Sequence, residues 1–109
     1  MAQHRMGEGP LHDAAGHLLD PGYATREVRQ YERAMIGADP VRIKEWDYYC
    51  VLDPDFGLAL TIADNGYAGF LGVSWMDLRG RSFVNHGVLV PEPMGSMALP
   101  PSADGGDIV

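Results

Sequence analysis

Residues 57–78, GLALTIADNGYAGFLGVSWMDL, contain the pattern that decides the fold. Asn65-Gly66 stands between two apolar runs rich in residues that favour strands, and this dipeptide is the strongest short signal for a β-hairpin. We therefore predict paired strands over residues 57–63 and 67–78.

Further turn sequences extend the hairpin in both directions. Asp53-Pro54-Asp55 ends a run over residues 41–52, and Arg79-Gly80 leads into a run over residues 82–90. Because consecutive strands joined by short turns pair antiparallel, the sequence predicts a meander of four strands over residues 41–90. The expected fold class is therefore mainly β, as part of a larger barrel or sandwich.

The first predicted strand breaks the alternation of apolar and polar residues. Val41 and Ile43 would project to one face, whereas the later large apolar residues would project to the other: Trp46, Tyr48, Cys50 and Leu52. Either a β-bulge near Lys44 changes the register, or both faces of the strand are partly covered. We favour the bulge.

The first forty residues predict a loop-rich segment with one short helix. Glycine and proline recur throughout residues 1–23, and the turn residues from Asp13 to Gly16 favour a small hairpin. Thr25 is a candidate cap for a helix reaching about Ile36, since apolar residues recur there at spacings of three and four. These apolar residues are Val28, Tyr31 and Met35.

Residues 91–109 are rich in proline and glycine and are expected to form a connection rather than a folded element. Asp107-Ile108-Val109 is typical of the start of another strand. Four strands alone would also leave two open sheet edges and one face without cover. We therefore expect an amino-terminal fragment of a larger protein, with residues 1–40, 41–90 and 91–109 as its three parts.

Charge and composition disfavour several classes of protein. The formal net charge is −7, which disfavours binding to nucleic acid and anionic membranes because phosphate binding needs a basic patch. No run approaches the roughly 20 apolar residues of a membrane span, and the first residues lack the apolar core of a secretory signal. Cys50 is the only cysteine, which fits a reducing compartment, so we expect a cytoplasmic protein.

Three side chains are candidates for proton transfer. Glu45 and Asp47 lie two apart on a predicted strand, so their carboxylates would share a face about 7 Å apart and could act as general acid and base. His86 stands on an apolar face and is a candidate base, with Asp77 as the residue that could orient it. The plainer interpretation is a solvated pair of acids and a hydrogen-bonded core histidine. No metal-ligand spacing and no phosphate-binding glycine motif occurs, so we expect neither metal nor cofactor.

Four motifs resemble those of a known family. They are Pro21-Gly22-Tyr23-Ala24, Arg42-Ile43-Lys44-Glu45-Trp46-Asp47-Tyr48-Tyr49, Pro93-Met94-Gly95, and Leu99-Pro100 followed by Gly106-Asp107. In this order and spacing they resemble the amino-terminal third of the bacterial family called domain of unknown function 2804. The resemblance covers almost all of the chain after Gly9. It implies a family without an established activity, whose sequences are similar to those of calycin-like proteins such as the lipocalins and the carotenoid hydratase relatives.

Three hypotheses for function remain open. The first is a calycin-like barrel or sandwich that binds a small apolar ligand on the sheet face carrying Trp46, Tyr48 and Trp75, although such aromatic stripes are more often plain core. The second is a hydratase or isomerase that acts on a lipid-like substrate through the proton-transfer residues above. The third is a truncated product with no activity of its own. The expected partner of this chain is the remaining C-terminal part of the same protein.

Overall fold

The computed structural model describes residues 2–102, 104 and 105. The chain forms two compact units, one from residues 1–38 with 100–109 and the other from Asp39–Leu99. The strand predicted at Asp107-Ile108-Val109 lies outside the described residues. Each unit is built around its own backbone hydrogen bonds.

Two very short strands hold the backbone of the first unit. β1 (Gly9–Pro10) pairs in parallel with β2 (Arg29–Gln30). A hairpin follows β1, in which the Asp13 carboxylate accepts a hydrogen bond from the backbone N–H of His17 at 2.8 Å. Gly16 closes this turn with a φ of 83°, which glycine adopts without strain. The hairpin predicted here is confirmed.

The helix predicted over residues 25–36 is wrong for most of its length. Only Arg33–Met35 turns, as a 3-10 helix, and β2 forms an extended segment before it. The Leu11 N–H donates to the Gln30 carbonyl at 3.0 Å. The backbone of this segment therefore pairs with the strand before it, and this pairing outweighs a weak local preference for helix.

A cluster of polar side chains surrounds Asp20 in the first unit. The Asp20 carboxylate accepts hydrogen bonds from the Gly7 N–H at 2.8 Å and from the His4 ring. It also accepts from the guanidinium of Arg29, whose side chain is only 11% exposed. The Gly7 N–H, followed by the His4 ring, lowers the pKa of Asp20 below its ordinary value. The folded unit therefore favours the ionised carboxylate.

We expect Asp20→Asn to reduce the loss of stability in acid. A carboxyl group whose pKa falls on folding stabilises the fold above its unfolded pKa, and this contribution disappears as pH falls through the folded pKa. Thermal unfolding of the wild type should therefore shift to lower temperature below about pH 4, and the shift should be smaller in Asp20→Asn. Glu8→Gln, which changes an exposed ion pair with Arg26, is the control and should keep the wild-type response. An unchanged response in Asp20→Asn would contradict this expectation.

The second unit contains an antiparallel sheet of four consecutive strands. They are β3 (Glu45–Leu52), β4 (Phe56–Asp64), β5 (Ala68–Asp77) and β6 (Ser82–Pro91). Each strand pairs with the next along the chain, in the order β3-β4-β5-β6. The predicted meander and the mainly β fold class are confirmed. The ends of β4, β5 and β6 agree with the sequence prediction to within one residue.

The first strand of this sheet begins later than predicted. Pro40–Arg42 forms a 3-10 turn, and the Asp39 carboxylate caps it by accepting from the Val41 N–H at 3.0 Å. Pairing with β4 then runs without interruption from Glu45 to Leu52. The bulge predicted near Lys44 is therefore wrong. Val41 precedes the sheet, and this position explains the break in alternation.

The strand register determines which side chains share each face of the sheet, because residues directly opposite one another on antiparallel strands project to the same side. We name the two faces by their tryptophans. The Trp46 face carries Trp46, Tyr48, Cys50, Leu52, Ala59, Thr61, Ala63, Phe70, Ser74, Met76, Phe83, Asn85 and Leu89. The Trp75 face carries Glu45, Asp47, Tyr49, Val51, Phe56, Leu58, Leu60, Ile62, Leu71, Val73, Trp75, Val84, His86, Val88 and Val90.

Both faces leave large apolar side chains exposed. On the Trp46 face, Trp46 is 65% exposed and Leu89 is 76% exposed. On the Trp75 face, Trp75 is 48% exposed and Val84 is 55% exposed. The sequence predicted one face without cover, whereas the structure has two. Exposed apolar surface on this scale is typical of a region that contacts a ligand or another layer of protein.

The ring of Phe70 covers two glycines on neighbouring strands of the Trp46 face. Gly72 of β5 lies directly opposite Gly87 of β6. A Cβ atom at either position would lie 2.5 Å from a carbon of the Phe70 ring. The ring therefore occupies the space that two side chains would fill, and it shields the backbone of both strands.

The turn between β4 and β5 is tied to the segment that precedes β3. Gly66 has a φ of 77°, and the hairpin predicted from Asn65-Gly66 is confirmed. The Lys44 ammonium donates to the carbonyls of Val41 and Asn65. It also lies 4.2 Å from the centroid of the Tyr67 ring, which is a cation–π contact. These contacts fix the position of the turn.

A strap of residues 92–98 lies against the same turn. The buried Asp64 carboxylate accepts hydrogen bonds from the Gly66 N–H at 2.9 Å and from the Gly95 N–H of the strap at 2.6 Å. Three non-glycine residues of the strap have left-handed φ angles: Glu92, Met94 and Ala98. The sequence predicted only a connection here. The strap instead folds back on the turn and supplies one donor, the Gly95 N–H, to a buried carboxylate.

Candidate functional site

An open groove of about 340 Å³ lies on the Trp46 face, beside the hairpin that joins β5 to β6. Its lining residues are Ser74, Met76, Asp77, Leu78, Arg81, Ser82, Phe83 and Asn85. Three large apolar side chains, those of Met76, Leu78 and Phe83, form most of its walls. The volume lies at the lower end of the range for small-molecule sites. The groove is therefore large enough for a compact organic ligand.

Cross-strand pairing builds the apolar floor of the groove. Met76 of β5 lies directly opposite Phe83 of β6. On the other side of Met76, Gly57 of β4 has no side chain. A Cβ there would lie 2.7 Å from the terminal methyl of Met76 and 3.0 Å from a methyl of Leu52. Met76 and Leu52 therefore meet above Gly57, and together with Phe83 they form an apolar band across the sheet.

A polar band crosses the sheet next to this apolar band. Ser74 of β5 lies opposite Asn85 of β6, and Cys50 occupies the same row on β3. Tyr48 neighbours Cys50 on this face, and the Cys50 thiol raises the pKa of Tyr48. A tyrosine phenol is protonated at neutral pH and can donate a hydrogen bond. Of these polar residues, Ser74 and Asn85 line the groove itself.

The two arginines of the β5–β6 hairpin differ in their partners. Arg79 donates through Nε to the carboxylate of Asp55. Arg81 lines the groove, and its guanidinium has no hydrogen-bond or ion-pair partner among the residues that the structure describes. The outer end of the groove therefore presents an unpaired positive charge.

The structure separates the three aromatic residues predicted to bind a ligand. Trp46 and Tyr48 share one face, whereas Trp75 projects from the other. There Trp75 stacks on Phe56, with ring centroids 5.0 Å apart. Trp46 also lies six residues along β3 from Leu52, roughly 20 Å at the spacing of a strand. It is therefore at the opposite end of its face from the groove.

The three residues predicted to transfer protons share the Trp75 face without forming one cluster. Asp47 lies on β3 and His86 on β6, which are three strand spacings apart, or about 14 Å. Glu45 is two residues from Asp47 and lies opposite the buried Asp64. Asp77 is four positions along β5 from the residue opposite His86, so it does not orient the imidazole.

Within residues 2–102, 104 and 105, no three His, Cys, Asp or Glu side chains are grouped so that they could hold a metal ion. No helix in that part of the chain has the length and apolar character needed to cross a membrane.

The groove residues Met76, Phe83 and Arg81 are absent from the site residues predicted from sequence. Part of their signal is present in the sequence, because a hairpin closing between Asp77 and Ser82 places Met76 opposite Phe83 by alternation. The role of Arg81 has no such signal. That role depends on Arg79 pairing with the Asp55 carboxylate in the β3–β4 loop, which leaves Arg81 without that partner. Sequence spacing does not specify this pairing.

These features define a protein with an open, four-stranded antiparallel sheet and an apolar groove at one of its hairpins. The chain belongs to the family described as a domain of unknown function (DUF2804), which matches residues 3–109. The family resemblance inferred from the sequence motifs is confirmed. No curated protein and no solved structure matches the chain.

Proposed function

We propose that the chain binds a small, largely apolar ligand in the groove beside the β5–β6 hairpin. The observation that carries this proposal is the groove of about 340 Å³ between Met76, Leu78 and Phe83. Phe83 is 69% exposed, so a bound ligand would remove a large apolar area from water. Trp46 and Tyr48 extend the same face and are proposed as contacts for a longer ligand.

We propose a different role for the Trp75 face. Its branched aliphatic and aromatic side chains, including Trp75 stacked on Phe56, favour packing against another β-layer. In this proposal the layer belongs to the remaining C-terminal part of the same protein, in a larger barrel or sandwich of the calycin-like kind. Such packing would cover one apolar face and leave the Trp46 face for the ligand.

A second candidate function is proton transfer on a lipid-like substrate, as in a hydratase or isomerase. One observation favours it: the Oδ2 atom of Asp47 is buried and has no hydrogen-bond partner among the described residues. Glu45, two residues away, is the nearest of the other proposed acids and bases. The separation of about 14 Å between β3 and β6 argues against Asp47 and His86 acting on the same bond. Ligand binding therefore fits the geometry better.

We expect Phe83→Ala to weaken the binding of octan-1-ol about 5- to 30-fold. Partial loss of an aromatic contact costs roughly 1–2 kcal/mol of binding free energy, which corresponds to that factor. Isothermal titration calorimetry on the wild type and the variant measures the two dissociation constants. Far-UV circular dichroism checks that the variant keeps its sheet.

Leu89→Ala is the matched control for this experiment. Leu89 lies on the same face and is 76% exposed, but it does not line the groove. Its removal should leave the affinity for octan-1-ol unchanged. Equal losses in the two variants would show non-specific adsorption to the exposed face. If the wild type bound no apolar ligand and catalysed no reaction, the hypothesis of a truncated product without its own activity would be favoured.

A further inference from the structure

We infer that the ligand of the groove has an anionic head, a carboxylate that pairs with Arg81. This inference rests on the proposed function and adds the chemical class of the ligand, which is a medium-chain carboxylic acid. It is carried by the position of Arg81 at the outer end of an apolar groove, without a partner among the described residues.

Arg79 provides the comparison within the same hairpin. Its side chain is 77% exposed, donates to the Asp55 carboxylate and does not line the groove. Arg81 lines the groove with Met76, Leu78 and Phe83, and no carboxylate among the described residues pairs with it. Arg81 is exposed, as Arg79 is, so the two arginines differ in their partners and in their position at the groove rather than in burial. The parallel N–H groups of Arg81 match the two oxygens of a carboxylate.

The carboxylate of Asp77, which also lines the groove, accepts a hydrogen bond within the turn and does not pair with Arg81. Asp77 projects to the Trp75 face by alternation, and its Oδ1 atom accepts from the Gly80 N–H at 2.8 Å. Its carboxylate therefore holds the turn. The formal net charge of −7 means that most of the surface repels an anion. An unpaired cation at the mouth of an apolar groove thus determines where an anionic ligand can bind.

The size of the groove sets the length of the apolar tail. A volume of about 340 Å³ holds roughly eleven non-hydrogen atoms at ~30 Å³ each. A carboxylic acid with about eight carbons matches this size. With its carboxylate at Arg81, the tail would lie between Met76 and Phe83 and end near Ser74 and Asn85.

Comparing octanoate with octan-1-ol separates the contribution of the head group from that of the tail. We expect the wild type to bind octanoate about tenfold more tightly at pH 7 and low ionic strength. Arg81→Gln should abolish this preference, so that octanoate and octan-1-ol bind the variant about equally. Arg79→Gln is the matched control and should keep the preference. Isothermal titration calorimetry with each compound measures all six affinities.

The inference and the proposed function fail in different ways. Suppose that the wild type bound both compounds equally and that Phe83→Ala weakened the binding of both. The inference of an anionic head group would then be wrong, and the proposal that the groove binds an apolar ligand would be kept. If the wild type bound neither compound, both proposals would be overturned. If Arg79→Gln abolished the preference as fully as Arg81→Gln, general surface charge would explain it, and the role of Arg81 would be rejected.

Discussion

Replacing Asp64 with alanine should lower the free energy of unfolding of the sheet unit by about 2–6 kcal/mol. The Asp64 side chain is fully buried and accepts hydrogen bonds from the N–H groups of Gly66 and Gly95. Alanine would leave both N–H groups without this acceptor, and each such loss costs about 1–3 kcal/mol. Urea denaturation followed by tryptophan fluorescence measures the change, because Trp46 and Trp75 both lie in the sheet.

Asp77→Ala is the matched control for Asp64→Ala. Asp77 also accepts from a turn N–H, that of Gly80 at 2.8 Å, but it is exposed, so water can replace its carboxylate. We expect this control to lose less than about 1 kcal/mol. Asp64→Asn keeps one side-chain oxygen and should fall between wild type and Asp64→Ala. Equal losses in Asp64→Ala and Asp77→Ala would mean that burial of the carboxylate does not determine its contribution.

Gly66→Ala should cost about 2–4 kcal/mol of unfolding free energy. A Cβ at Gly66 would lie 2.6 Å from the carbonyl oxygen of Val41 and 2.8 Å from that of Pro40. These are backbone atoms, so no side-chain rotation can relieve the clash. The φ of 77° adds the penalty of a left-handed conformation for a residue with a Cβ, about 1–2 kcal/mol. The same urea denaturation experiment measures the loss.

Gly7→Ala is the control for the substitution of glycine itself. The nearest atom to a Cβ at Gly7 is a carboxylate oxygen of Asp20 at 3.8 Å, an ordinary contact. We expect a change within about 0.5 kcal/mol there. Wild-type stability in Gly66→Ala would show that Pro40–Arg42 can move away from the β4–β5 turn without cost.

The strands of the sheet were predictable because their signals are local. Asn65-Gly66 and Arg79-Gly80 each mark a turn, and alternation within β4, β5 and β6 follows directly from the spacing of those turns. The Asp13 to Gly16 hairpin was predictable for the same reason. Each of these features depends on residues close together in the chain, so a single sequence is sufficient to specify it.

The predictions that the structure overturned depend on contacts between residues distant in sequence. The predicted helix over residues 25–36 is largely absent because Arg29–Gln30 pair with β1, about twenty residues earlier. The strap folds back on the turn, where Asp64 accepts from Gly95, a contact across 31 positions. Trp75 was assigned to the wrong face because its side relative to Trp46 depends on the combined register of two hairpins, β3–β4 and β4–β5. The pairing of Arg79 with Asp55, which leaves Arg81 to the groove, is also a contact between loops.

The edge of the sheet at β6 has a consequence for how this chain behaves in solution. Ser82–Pro91 contains no lysine, arginine, aspartate or glutamate, and in the described part of the chain it pairs on one side only. Natural edge strands commonly carry a charge, a bulge or an internal proline that blocks further pairing, and here only the terminal Pro91 serves that purpose. The free backbone groups of β6 are therefore open to pairing with a strand from another chain.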